Sequence, residues 1–116
     1  MTETTTEDVI KRLQLKRLKI SEDLETVEAT LKSYQANATI LIEDRALDPA
    51  FKAELSNQTK RSIAVQHMLN ADPNYVMFLA SERELRHDLT VLDIHIEYQQ
   101  CRFRREIAEM LKGVTL

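Results

Sequence analysis

An all-α fold follows from three features of this sequence: a long apolar seam at helical spacing, a near-absence of breakers, and two Asp-Pro pairs. The seam runs through Ile10, Leu13, Arg17, Ile20, Leu24, Val27, Leu31, Tyr34, Ala38 and Leu41, nine apolar positions of ten. Steps that alternate three and four trace one stripe of a helix; a strand would send alternate side chains to opposite faces. One Gly and two Pro in 116 residues leave little room for many short strands and tight turns. A stripe this long must lie against another helix. The expected fold is a long-helix antiparallel hairpin or a three-helix bundle with coiled-coil heptads. It forms a single helical domain over residues 1–116 that assembles into a homo-oligomer, because an open hairpin buries little surface per residue.

The first helix is predicted over about residues 7–44. Thr4-x-x-Glu7 reads as its capping box, with Thr6 a second candidate cap, and Glu7 and Asp8 suit the positive end of the helix dipole. Leu15 and Leu18 lie off the seam and widen the apolar face. The two prolines, Pro49 and Pro73, each follow an aspartate. Asp at the N-cap accepts from orphan N–H groups, and Pro at the next position has no N–H to lose. A second helix is therefore predicted over about 49–70, with a break and fresh start near Ser56-Asn57 and a short seam of Ile63, Ala64 and Met68, with Leu69 on a neighbouring face. A third is predicted over about 73–112, with Gly113 as its C′ residue. Its seam is Tyr75, Phe78, Glu82, Leu85, Leu89, Leu92, Ile96, Gln99, Phe103, Glu106 and Met110, drifting to Ile107 and Leu111 as a straight helix does against a 3.5-residue repeat.

Formal charge is −3, which excludes a uniformly basic nucleic-acid binder but leaves room for local patches. Such patches exist. Lys11, Arg12, Lys16, Arg17 and Lys19 have no acid among them, and Glu22, Asp23, Glu25 and Glu28 follow directly. Arg102, Arg104 and Arg105 form a second cluster, followed by Lys112. One reading is a solvated surface with i,i+4 pairs such as Lys19–Asp23; the other is a phosphate-contacting patch. If the first and third helices pair antiparallel, the two clusters adjoin at one end. In an up-down-up bundle they separate. The antiparallel pair is the preferred expectation.

Other chemistry finds little footing. Glu84-x-x-His87 has the spacing of di-iron bundle ligands, but a second such motif is missing and both residues lie off the seam. His67, His87 and His95 are scattered, with no i,i+4 zinc pair. Cys101, the single cysteine, has arginines within a turn but no paired His. One glycine makes no phosphate loop. The expectation is a non-enzyme without cofactor, metal or small-molecule substrate. Arg17 and Gln99 read as register-setting or snorkelling residues, and Tyr34, Tyr75, Phe78 and Phe103 as core. A lone cysteine suggests a reducing compartment, and no apolar run approaches a membrane span, so a cytoplasmic protein with no membrane partner is expected.

The second half resembles known proteins. Thr59-Lys60-Arg61, then Met68-Leu69-Asn70-Ala71-Asp72, Tyr75, and a long amphipathic helix closing on Phe103-Arg104-Arg105 are similar to small helical proteins encoded beside recombination genes in bacteriophages. The pattern also resembles, more distantly, the phage recombination-mediator family, whose members load a recombinase onto single-stranded DNA. The likeness covers about residues 59–112, and the strongest basic cluster here lies outside it, in the first helix. It implies a helical homo-oligomer whose partners are single-stranded DNA and a recombinase. The expected function is binding of single-stranded nucleic acid in phage-type recombination or replication through Lys11, Arg12, Lys16, Arg17, Lys19, Arg102, Arg104 and Arg105. The alternative is a structural or adaptor coiled-coil protein that mediates protein–protein assembly.

Overall fold

The computed structural model describes residues 5–114. They form three α-helices and no strand: α1 over Thr6–Ala46, α2 over Gln58–Asn70 and α3 over Pro73–Val114. A 3-10 turn at Pro49–Phe51 follows α1. The described residues divide into two compact units. A terminal unit holds those up to Leu24 and from Glu84 onward, and a central unit spans Glu25–Arg83.

Helix starts follow local chemistry. Thr4 lies outside the described residues, and the observed cap is Thr5. Its Oγ1 accepts from the Asp8 amide (3.1 Å) while its own amide donates to Asp8 Oδ2 (3.3 Å), a capping box set one residue later than expected. Those hydrogen bonds hold the Asp8 carboxyl below the usual aspartate value. Asp48 Oδ1 accepts from Ala50 (3.0 Å) and Asp72 Oδ1 from Asn74 (2.9 Å), so both Asp-Pro pairs cap helical turns. The expected second helix is interrupted. Only a 3-10 turn follows Pro49, and Asn57 caps α2 by accepting from Lys60 at 2.8 Å. Gly113 is not a left-handed C′ residue: α3 runs through it to Val114, and no glycine has positive φ.

In the terminal unit, Thr6 Oγ1 donates to Glu106 Oε1 (2.9 Å), and Arg17 pairs with Asp93. Residue numbers rise on one helix as they fall on the other, so α1 and α3 run antiparallel here. Ile10 and Leu24 of α1 and Leu92 and Ile96 of α3 are buried. Met110, Ile107 and Leu111, expected to extend the seam, are exposed.

The central unit has three-helix packing. Leu31, Ala38, Leu69 and Tyr75 form its buried cluster, with Val27, Tyr34, Val65, Met68, Phe78 and Leu79 packed against it. Tyr34 meets both Tyr75 and Phe78, with ring centroids 6.1 and 5.9 Å apart, inside the range for favourable aromatic pairs. Two expected seam positions fail. Leu41 is exposed while Ile42 is buried, and Ile63 is exposed while Val65 takes its place. The first slip is a straight helix outrunning the 3.5-residue repeat by one position. Arg61 fastens the connection: its Nη1 donates to the Leu55 carbonyl (3.1 Å) and its Nη2 to Gln58 Oε1 (3.2 Å), and its Nε lies 3.5 Å from Glu43 Oε1.

Candidate nucleic-acid interface

All eight basic residues singled out from the sequence lie in the terminal unit. Antiparallel pairing brings their two clusters alongside each other, but not onto one surface. Helical geometry sorts them.

A groove between α1 and α3 is lined by Leu13, Lys16 and Ile20 on one side and by Asp88, Val91, Leu92 and His95 on the other. That fixes which flank Lys16 faces. Arg12 and Lys19, four residues before it and three after, share its side of α1. On α3, steps of three and four from Val91 and His95 lead to Tyr98, Arg102 and Arg105 on the same flank. The register set by Arg17–Asp93 and Thr6–Glu106 puts Tyr98 level with the turn of α1 that carries Arg12. Of these basic residues, Lys16 lines the groove itself; Arg12, Lys19 and Arg102 follow along the same sides of their helices beyond its lining, and Arg105, two heptads past Val91, drifts toward the outer face of α3. Arg17 and Arg104 belong to the opposite flank, where Arg17 meets Asp93 and Arg104 lies eleven residues beyond Asp93 on the same side of α3. Lys11 shares the outer face of α1 with Leu15 and Leu18.

Carboxylates neutralise half of the eight. Lys11 pairs with Glu7 (3.4 Å), Lys19 with Asp23 (3.0 Å), and Arg102 with Glu106 (3.3 Å), each one helical turn away. The Arg17 guanidinium is bound by Asp93, which raises its already high pKa, as Asp23 raises that of Lys19. Arg12, Lys16, Arg104 and Arg105 have no ion pair among the described residues. Lys16 lines the groove, and Arg12 lies one turn before it on the same side of α1. Acids bound that flank too: Asp88 lies on the groove wall and Asp8 one turn before Arg12.

Two features escaped the sequence reading. Tyr98 stands on this flank, and the off-seam spacing Tyr98–Arg102–Arg105 was the signal for it. The cross-helix partner of Arg17 lies 76 residues away, beyond any local pattern.

Among the described residues, no three His, Cys, Asp or Glu side chains gather as a metal-ion site. Glu84 and His87 are both exposed on α3, and Cys101 is exposed and free. No described helix is long and apolar enough to cross a membrane. Comparison with family models, curated proteins and solved structures finds no match for this chain.

Proposed function

We propose that this chain is a non-enzymatic, homo-oligomeric helical protein that binds single-stranded nucleic acid along the groove between α1 and α3. The observation that carries this reading is Lys16 in the lining of the α1–α3 groove with Arg12 one turn before it and Arg102 and Arg105 along α3, where Arg12, Lys16 and Arg105 make no ion pair among the described residues. Uncompensated cations attract a polyanion and displace its condensed counterions, a mechanism that needs no catalytic group. Lys19 and Arg102 reinforce the flank, because exposed ion pairs are weak enough to exchange their carboxylate for a phosphate. Resemblance to the phage recombination mediators suggests recombination or replication as the setting and a recombinase as the protein partner. Self-assembly is supported by Leu15 and Leu18, 68% and 54% exposed on the outer face of α1. Titrating a labelled oligothymidylate at two salt concentrations tests the reading: binding that weakens as salt rises is expected.

A second reading, a structural or adaptor protein that mediates assembly, is favoured by the pairing of Lys11, Arg17, Lys19 and Arg102 with nearby carboxylates. It predicts no retention of the oligonucleotide at any moderate salt.

A further inference from the structure

Most of the aromatic side chains of this chain are accounted for by packing. Tyr34, Tyr75 and Phe78 meet in the central unit, and Phe103 is half-buried on the seam of α3. Tyr98 is different. It is 65% exposed and has no hydrogen bond or ring contact among the described residues. It continues the α3 stripe of the groove-lining Val91 and His95 beyond the groove's end, three residues past His95, four before Arg102 and seven before Arg105, at the level of Arg12.

We propose that Tyr98 is a stacking platform for an unpaired base, placed among the cations that hold the flanking phosphates. This deepens the nucleic-acid reading and rests on it. Phosphate contacts alone do not select a single strand, since a duplex carries the denser backbone charge. An exposed ring does distinguish them: the bases of a duplex have their faces covered by neighbours, whereas a single strand offers a free π-face. Every base has such a face, so a lone tyrosine selects strandedness without selecting sequence. Arg12, Lys16 and Arg105 around the ring then fix the backbone while the base lies on Tyr98. Val91, two turns up the same stripe and bordering the groove, extends the apolar surface beneath the strand.

The test compares Tyr98→Ala, Tyr98→Leu and Tyr98→Phe in the full chain, using a labelled oligothymidylate and a DNA duplex of equal length, with oligomer mass measured by light scattering. Stacking predicts that the Ala and Leu variants bind the oligothymidylate roughly 5- to 150-fold more weakly, the fold-change equivalent of about 1–3 kcal/mol per stacked base. Their salt slope stays at the wild-type value, duplex binding is unchanged, and Tyr98→Phe matches wild type. Wild-type binding strength in Tyr98→Ala, or full rescue by Leu, overturns the stacking role while leaving the phosphate-binding flank standing. A fall in oligomer mass in Tyr98→Ala overturns it in favour of a self-association contact. Wild-type protein that retains no oligothymidylate overturns both the platform and the reading on which it rests.

Discussion

Arg17 of α1 forks onto Asp93 of α3, with Nε 2.5 Å from Oδ1 and Nη2 3.4 Å from Oδ2. Arg17 occupies a position that the rest of its seam fills with apolar side chains, so its stem packs while its head snorkels to a carboxylate. The pair names one register between two long helices that apolar residues alone would tolerate in several. Both side chains remain about half in water, which limits what the pair adds to stability. Asp93→Asn is therefore expected to leave the melting temperature nearly unchanged. It releases a cation on the flank opposite the groove, so the log–log salt slope of oligothymidylate binding should stay near the wild-type value, whereas a steepening of about 0.7, one further phosphate contact, would show that the strand also reaches that flank. Thermal denaturation and a salt titration on the same variant check both halves.

Leu31 behaves in the opposite way. It is 3% exposed within the cluster of Ala38, Leu69 and Tyr75. Leu31→Ala should cost about 2–5 kcal/mol through lost transfer energy and the cavity left behind. Leu31→Asp should unfold the central unit, since no cation lines that cluster to meet the carboxylate. Urea denaturation followed by circular dichroism measures the difference, and a Leu31→Asp protein with an unchanged transition would show that this cluster is not the core.

These two residues also show what the sequence could disclose. Leu31 was legible because burial imposes a period, and the period survives without knowledge of the partner helix. So were the Asp48 and Asp72 caps, whose chemistry is complete within a few residues. Leu41 misled because a heptad count assumes that supercoiling holds the repeat at 3.5, while the helix went on to bury Ile42 instead. Ile63 misled for a different reason. α2 is short, and its inward face is chosen by what Leu31 and Ala38 offer it. Charge was legible only locally: the Lys19–Asp23 pair, one turn apart, could be read from spacing, whereas the partner of Arg17 lies 76 residues away.

Arg61 is expected to be structural, although it falls inside a basic tripeptide. Its guanidinium joins the Leu55 carbonyl, Gln58 and Glu43, which closes the connection between α1 and α2. Arg61→Ala should destabilise the chain by about 1.5–3 kcal/mol, the usual range for hydrogen bonds to a charged group. Arg61→Lys should recover little of it, because an ammonium lacks the planar fork that reaches several acceptors at once. Thermal melts of the two variants, with oligothymidylate binding unchanged in both, are the expected result.

Leu15 and Leu18 are expected to carry self-association. They stand one helical turn apart on the outer face of α1, away from the seam that α3 covers. In a monomer, changing them would touch nothing, and surface substitutions of that kind stay within about 0.5 kcal/mol. Leu15→Glu with Leu18→Glu should instead lower the mass found by light scattering while circular dichroism still reports a helical chain. An unchanged mass in the double variant would move the contact elsewhere.

The distribution of open charge gives the sharpest separation between the two functional readings. Lys16 lines the groove and Arg12 lies one turn before it, neither in an ion pair among the described residues, whereas Lys11 and Lys19 are held by Glu7 and Asp23. Each phosphate neutralised by an open cation releases condensed counterions, so log affinity falls linearly with log salt at about −0.7 per contact on a single strand. Arg12→Ala with Lys16→Ala should thus flatten the slope by roughly 1.4 and weaken binding to all sequences alike. Lys11→Ala with Lys19→Ala should flatten it by less. Lys11 lies off the groove, and Lys19 must surrender Asp23 before it can meet a phosphate. Neither pair lies on the buried seam, so melting temperature and mass should hold in both double variants. Equal flattening by the two pairs would mean that the phosphates follow α1 as a whole rather than the groove. No binding by the wild-type chain at about 50 mM salt, where electrostatic contacts are strong, would leave assembly as the function.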